Sequence, residues 1–387
     1  MIPFNSAFGN LPPLVNFFNS WLKLFDILIF FIQYLFVINI LSFNSRQAIK
    51  NFNRYAKKLT FDKTIRLFLY AINDETESLR HLDQQLVNPH LKKAIGIDSI
   101  SYSQLSRAIK ALEPSVLMEI FTHLLSFVHK KTAVKSKEKL YLIDSSTFSF
   151  SQTSYPWARF RSTKSGIKLH LKLCFMNEGW VHPEEFKLSH ASEHDHDYLD
   201  VFVNNTLATY VFDRGYLDFA QFDQMKWDGY FFVSRIKKNT VVHVQAHQKV
   251  SKKSGVISDQ LVQLGSTTYL TSLFRLVTIE RKNQSNLRII TNRFDLSAEE
   301  IGEVYQSRWQ IELFFKHIKQ HMTIKTFFSK SEKGVENQVI LAMITYLLTL
   351  LVKLELGLKQ TLFQILRHLR ALYYESFDIF KEIFEPD

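Results

Sequence analysis

Leu296–Met322, LSAEEIGEVYQSRWQIELFFKHIKQHM, is the stretch whose reading decides the fold. Its spacing predicts one long helix. Ser297 is a good N-cap, and Glu300 three residues on completes a capping box, in which the two side chains satisfy N–H groups left open at a helix start. At about 100° per residue, Val304, Ile311, Phe314, Phe315 and Ile318 gather on one side, which predicts burial there. Tyr305, Arg308, Glu312, Lys316 and Lys319 gather on the other. One face thus offers a carboxylate flanked by cations and a phenol. A charged face of this kind is as often merely solvated, so its meaning depends on what the rest of the chain brings to it.

With 387 residues the chain is long enough for two or three domains. Lys and Arg number 48 against 37 Asp and Glu, a formal net charge of +11 that favours a polyanionic partner, nucleic acid or an anionic membrane surface. The single cysteine, Cys174 in the apolar run LKLCFM, excludes an intrachain disulfide framework and a zinc site built on cysteines.

Residues 1–44 form an apolar N-terminal segment. Its run Ile27–Leu41 is interrupted by Gln33 and Asn39, and a membrane helix wants about 20 apolar residues. Three readings stay open: a buried or partner-bound helix, a segment outside the functional fold arising from an upstream translation start, or a membrane anchor. A signal peptide does not fit, since no basic n-region or small-residue cleavage site is present. Residues 45–138 read as helical. Pro89 is expected to stop a helix over 77–86, and Pro114 to close a short one. A helix, then the short basic stretch LKKAI leading into the Gly-containing loop GIDSIS, then a short helix in YSQLSRAIKALEP fit a helix-turn-helix carrying Gln104, Ser106, Arg107 and Lys110. This would make the region a DNA-binding domain, although plain helix packing explains the same pattern. KKTAVKSKEK (130–139) reads as a charged linker.

At Leu140 the period changes. Residues 139–228 read as the first part of an α/β domain. KLYLIDSSTFSF is a short apolar, β-rich run ending in Asp144 and a Ser/Thr cluster. Lys164–Gly166 is a turn, and Leu169, Leu171 and Leu173 alternate with His170, Lys172 and Cys174 in the strand that follows. A third strand is expected at 185–188 and a fourth at ATYVF (208–212), followed by Asp213, Arg214, Gly215, Tyr216 and a helix over 217–226. Residues 229–294 read as a β-rich insertion with strands YFFVSRI, TVVHVQAH, TYLTSLFRLVTIE and LRIITN. Residues 295–387 hold the second part of the α/β domain and the C-terminal helices, one very apolar over 336–354 and one amphipathic over 359–374.

Asp144 and Asp213 each follow an apolar strand, and Glu312 lies on the cation-rich helix face. Alone, an Asp in such a place is more often a turn former. Three carboxylates brought together repel and raise one another's pKa. They make sense around a hard divalent metal, which takes oxygen ligands, and two such ions can assist displacement at a phosphodiester. Tyr305, Arg308, Lys316 and Lys319 would then meet phosphate oxygens. HASEHDH (190–196) offers a second cluster. Its spacing does not match a helical zinc site, and a loop followed by a helix cap is the simpler reading.

Tyr305, Arg308, Glu312 and Lys319 are spaced Y-x2-R-x3-E-x6-K. This resembles the signature of the insertion-sequence-4 branch of bacterial DDE transposases. IDSST (143–147) resembles that family's first-Asp motif and FDRGY (212–216) its second, and RWQIELFFKHIKQH is similar beyond the four signature positions. The likeness covers about residues 140–345. It implies an α/β fold: an RNase H-like mixed sheet with flanking helices, interrupted by the β-rich insertion and preceded by an all-α region. It implies Asp144, Asp213 and Glu312 as catalytic residues holding two Mg²⁺ (or Mn²⁺) ions, and Tyr305, Arg308 and Lys319 as the grip on a DNA end. Lys316 joins them on face geometry alone. Trp309 would stack on an unpaired base or simply pack, and Arg214 would bind phosphate or pair with Asp213.

The implied activity is cutting the ends of an insertion element and joining the 3′-OH strands to target DNA. The implied partners are double-stranded DNA, both terminal inverted repeats and target, and a second copy of the chain in a synaptic homodimer. The setting is the bacterial cytoplasm, at the nucleoid when bound. One rival is an inactive DNA-binding remnant or regulator, against which the presence of all three acids argues. The other is a membrane-associated protein built on residues 21–43, for which 336–354 is the sole further span-like stretch.

Overall fold

A computed structural model describes residues 40–132, 139–161, 164–176, 180–216, 218–250, 255–265, 272–281, 285–322, 324, 326–372, 375 and 382–383. Nearly all of the apolar segment 1–44 and the middle of the charged linker lie outside the described residues. The chain divides into two compact units. One holds the described residues up to Lys131 and from His321 onward, and the other runs from Thr132 to Gln320.

Among the described residues the N-terminal part of the first unit has six helices: α1 (Phe43–Asn53), α2 (Phe61–Asn73), α3 (Leu79–Gln85), α4 (Pro89–Ile95), α5 (Tyr102–Ala111) and α6 (Pro114–Thr132). Ser42, Thr60, Ser78, Asn88 and Ser101 cap the first five, each side chain accepting an N–H that the helix leaves open. Gly96, at φ +71°, ends α4 in the left-handed conformation and opens the turn to α5. Ser101 and Gln104 form a capping box, so the Gln104 amide oxygen is committed to the helix start. Arg107 and Lys110 are exposed on α5. Pro114 does more than close α5: it is the first residue of α6, where its missing N–H costs nothing.

The second unit is built on one mixed, ten-stranded sheet. Its strands are β1 (Lys139–Ser151), β2 (Arg159–Arg161), β3 (Lys164–Phe175), β4 (Val181–His190), β5 (Ala208–Phe212), β6 (Phe231–Arg235), β7 (Val242–His247), β8 (Val256–Leu264), β9 (Phe274–Ile279) and β10 (Leu287–Thr291). The order is β2-β3-β1-β5-β6-β10-β9-β8-β7, with β4 also on β3. β3 is antiparallel to β1 and β4, while β1–β5 and β5–β6 are parallel. The stretch read as an insertion does not stand apart. β6 lies beside β5, and β10, β9, β8 and β7 continue the same sheet antiparallel. The sequence pattern misses β8, because Asp259, Gln260 and Gln263 interrupt its apolar alternation. It also ends β1 too early. The Ser/Thr run after Asp144 stays in the strand to Ser151, held by pairing to β3 from Ser145↔His170 to Ser151↔Lys164.

Among the described residues four α-helices lie in this unit: α7 (Leu199–Phe202), α8 (Phe219–Trp227), α9 (Ala298–Gln306) and α10 (Trp309–His321, whose last residue falls in the first unit). α9 packs on β6, β8, β9 and β10. The expected single helix over 296–322 is therefore two. At the break the Ser307 hydroxyl donates to Val304 O at 2.6 Å, and the N–H groups of Arg308, Gln310 and Ile311 each bond three residues back. Those tighter bonds and the hydroxyl's competition for a helix carbonyl give a 3₁₀-like turn.

The C-terminal helices α11 (Glu332–Leu356) and α12 (Leu362–Ala371) cluster with the N-terminal helices, not with the sheet as the sequence grouping has them. α11 packs against α2, α5 and α12. Buried Asn337 donates Nδ2 to Ile109 O at 2.8 Å and Leu112 O at 3.0 Å, satisfying carbonyls that the end of α5 leaves open. Taken singly, α11 is the one described helix long and apolar enough to cross a membrane, and 78% of its apolar window is buried.

Two buried groups make the sheet's stability testable. Arg275 (β9) and Asp259 (β8) pair through two bonds of 2.9 and 2.6 Å at 5% and 2% side-chain exposure. Arg275 also donates to Leu296 O, just before the α9 cap. Arg275→Ala strands a buried carboxylate and is expected to cost about 3–5 kcal/mol in urea unfolding. Replacing both partners, by Arg275→Met with Asp259→Leu, should cost far less, and equal losses would contradict a paired role.

His170 on β3 is fully buried, its Nε2 bonded to Ser189 Oγ at 2.8 Å and its ring stacked on Tyr198. Burial holds the imidazole down at about 4, so it is neutral in the fold. The unfolded chain takes up that proton first, near pH 6.5. Stability is thus present above about pH 6.5 and is lost as pH falls towards 4, by up to ~3 kcal/mol. His170→Gln should flatten that part of the unfolding-versus-pH profile; an unchanged slope would rule the assignment out.

Candidate active site

The parallel pairing of β1 with β5 sets Ile143 beside Phe212, so the next residues, Asp144 and Asp213, leave the paired segment side by side. Asp144 Oδ1 accepts the Ser145 N–H at 2.8 Å. Glu312 lies in the first turn of α10. Arg308, in the turn between α9 and α10, reaches both remaining carboxylates: Nη2 is 2.5 Å from Glu312 Oε1 and Nη1 is 3.6 Å from Asp144 Oδ2. Tyr305, near the end of α9, is buried, and its hydroxyl donates to Asp213 Oδ1 at 3.1 Å. Arg235, the last residue of β6, stands 3.5 Å from the same oxygen. Three carboxylates from β1, the end of β5 and α10 thus share two guanidiniums and a phenol.

Burial pushes the Asp144 carboxyl up to about 6, and the charges of Asp213 and Asp195 add to that, against the Ser145 N–H and Arg308. Burial, then the Asp213 charge, pushes the Tyr305 phenol up to about 12, so it stays protonated and remains a donor. By count, the three carboxylates face two guanidiniums. A cluster of hard carboxylate oxygens with negative charge still in excess fits a divalent cation.

The remaining sequence candidates are more scattered. Lys319 Nζ donates to Thr147 O at 3.3 Å and lies 4.8 Å from the centre of the Phe148 ring. Lys316 is exposed one turn earlier and enters none of these contacts. Trp309, 57% exposed, borders a cleft of about 1150 Å³ along α9, also lined by Val256, Arg281, Glu303 and Gln306. Arg214 is exposed, and the ion pair of Asp213 is made by Arg235 instead. Two participants escaped the sequence reading. Arg235 ends a strand assigned to the insertion, although a cation closing a buried strand was the available signal. The sequence pattern makes Asp195 part of a helix cap, yet its side chain bonds Ser145 Oγ at 2.6 Å and Lys168 at 3.1 Å.

Residues 135–348 match the transposase DDE domain family. The chain is 26% identical over 298 residues to "Probable transposase for insertion sequence element IS5377" of Geobacillus stearothermophilus, covering 76% of each. It is 26% identical over 284 residues to a protein assigned to insertion sequence element IS4SA of Synechocystis sp., covering 72% of this chain and 80% of that one. Among solved structures it shows a slight likeness to a piggyBac transposase in a synaptic complex with hairpin DNA, with a TM-score of 0.48 and 11% identity over 95% of this chain and 84% of the other. The family match spans more than half the chain, including every strand of the sheet and the two helices that carry Tyr305 and Glu312. This chain is therefore a member of the DDE transposases.

Proposed function

We propose that the protein is the transposase of a bacterial insertion sequence, which cuts the element's ends and joins the freed 3′-OH strands to target DNA. The observation that carries this reading is the Arg308 guanidinium in contact with both Asp144 and Glu312, beside an Asp213 held by Tyr305 and Arg235. The strand block β4-β3-β1-β5-β6, antiparallel on one side of β1 and parallel on the other, supports an RNase H-like core.

Asp144, Asp213 and Glu312 would hold two divalent cations, Mg²⁺ or Mn²⁺, which when bound lower the pKa of an attacking oxygen and stabilise a leaving one. Water attacks the phosphodiester at the element end, the bond to the 3′ oxygen breaks, and that oxygen leaves as a 3′-OH. The 3′-OH then attacks a target phosphodiester and displaces its 3′ oxygen. Arg308 and Lys319 bind phosphate oxygens, Arg in a bidentate fork and Lys as a point charge. The protonated Tyr305 holds Asp213 in place and borders the DNA end. Trp309 offers an exposed face to a base unstacked near the cut, and Lys316 and Arg214 add positive charge along the path. Residues 45–138 serve as the DNA-binding domain, with Arg107 of α5 lining a cleft of about 860 Å³ beside Tyr55, Lys57 and Lys58. Two copies join in the complex that pairs the element ends, in the bacterial cytoplasm at the nucleoid. An inactive DNA-binding remnant is the runner-up, and the intact set of acids and signature residues disfavours it.

The test is cleavage of a duplex carrying the flanking inverted repeat. Wild type should nick with Mg²⁺ and not with EDTA. Asp144→Asn, Asp213→Asn and Glu312→Gln should each bind the duplex and lose at least about 10³-fold in nicking rate. Arg308→Ala should lose about 10²-fold. Duplex binding should weaken steeply between about 50 and 200 mM salt. Undiminished nicking by any of the three carboxylate variants would sink the assignment.

A further inference from the structure

Asp195 lies in a loop whose sequence pattern suggests only a helix start. It does not cap one. The N-cap of the turn Asp195–Tyr198 is His194, whose side chain makes no capping bond. The Asp195 carboxylate turns to the sheet, where Oδ1 accepts from Ser145 Oγ at 2.6 Å and pairs with Lys168 Nζ at 3.1 Å. His170 Nδ1 faces the same oxygen at 3.7 Å. Lys168 also donates to Glu193 O at 2.7 Å, which ties the loop to β3. Glu193 in turn accepts the Tyr198 hydroxyl at 2.6 Å and the His190 N–H at 3.0 Å, so the loop is closed on itself as well as on the sheet.

Strand register says where this network stands. Ser145 pairs with His170 and Thr147 with Lys168. Alternation puts those four side chains on one face of the sheet, and Asp144, the neighbour of Ser145 in β1, on the other. Asp195 therefore stands behind the strand that carries Asp144. Its link to Asp144 is Ser145, whose hydroxyl it holds and whose N–H bonds Asp144 Oδ1 at 2.8 Å. Lys168 offsets part of the charge that this fourth carboxylate brings near Asp144.

We propose that Asp195 is a positioning residue for the transposase reaction: it fixes Ser145, and through the Ser145 N–H it fixes the carboxylate of Asp144 for cation binding. This rests on the transposase reading above. A ligand carboxylate left to rotate must be ordered each time a cation binds, and losing the groups that orient it costs about 10–100-fold in affinity.

The test uses the full chain without DNA. Mn²⁺ affinity is read by electron paramagnetic resonance of the free ion, with thermal melting and duplex binding measured alongside. Asp195→Ala and Ser145→Ala are each expected to weaken Mn²⁺ binding about 10-fold while leaving duplex affinity unchanged. The double variant should be no weaker than either single one, because both cut the same path. Asp195→Asn keeps an acceptor for Ser145 Oγ and should restore binding to within about 3-fold of wild type. Unchanged Mn²⁺ affinity in Ser145→Ala, or additive losses in the double variant, would overturn the proposal. If Asp195→Ala fails to fold, Ser145→Ala alone decides. Failure of the wild type itself to bind Mn²⁺ would overturn the cation site and this inference together, so the two failures are distinguishable.

Discussion

The structure of the site depends on one guanidinium. Asp144 and Asp213 emerge from neighbouring parallel strands, which lie roughly 5 Å apart, and two carboxylates at that separation repel by about 3 kcal/mol at an effective dielectric of ~20. This exceeds the net worth of an ordinary hydrogen bond, about 1 kcal/mol, so hydrogen bonding alone does not hold the acids together. Arg308 lies between Asp144 and Glu312, and Arg235 with the Tyr305 phenol attends Asp213. Burial, more than the neighbouring charges, lifts the Asp144 carboxyl above the usual carboxylate range, and three carboxylates still face two guanidiniums. The negative charge still uncovered is what a divalent cation would neutralise.

Backbone geometry supplies the rest. The β1–β5 pairing aligns the two aspartates because each is one residue beyond a matched pair, Ile143 and Phe212. The break at Ser307 turns the chain between α9 and α10, so that Tyr305 comes from one helix, Glu312 from the next, and Arg308 from the turn itself. Arg275 secures this arrangement from the sheet side by binding Leu296 O at the entrance to α9 and Asp259 on β8. Behind β1, Asp195 and Lys168 brace the residue next to Asp144.

Much of this was legible in the residues. The two aspartates follow apolar runs short enough to be buried strands, and Tyr305, Arg308 and Glu312 of the Y-x2-R-x3-E-x6-K spacing gather around them, while Lys319 reaches Thr147 O instead. The helix break was not legible, because Ser307 is an unremarkable residue in a helix and only its hydroxyl bond to Val304 O reveals the turn. β8 was hidden by a buried Asp259 that looks like a surface residue until Arg275 is found against it. The continuity of β6 to β10 with the main sheet is a matter of long-range pairing, which local alternation does not encode. Asp195 is obscured for a similar reason: its partners, Ser145 and Lys168, are far away in sequence, while its near neighbours suggest a cap.

The central claim is that Asp144, Asp213 and Glu312 form one cation site. Anomalous scattering from crystals grown in Mn²⁺ tests it most directly. Manganese peaks are expected between these three carboxylates, and they should be lost in Asp144→Asn with Asp213→Asn. Manganese bound elsewhere on the chain, with none among the three carboxylates, would contradict it.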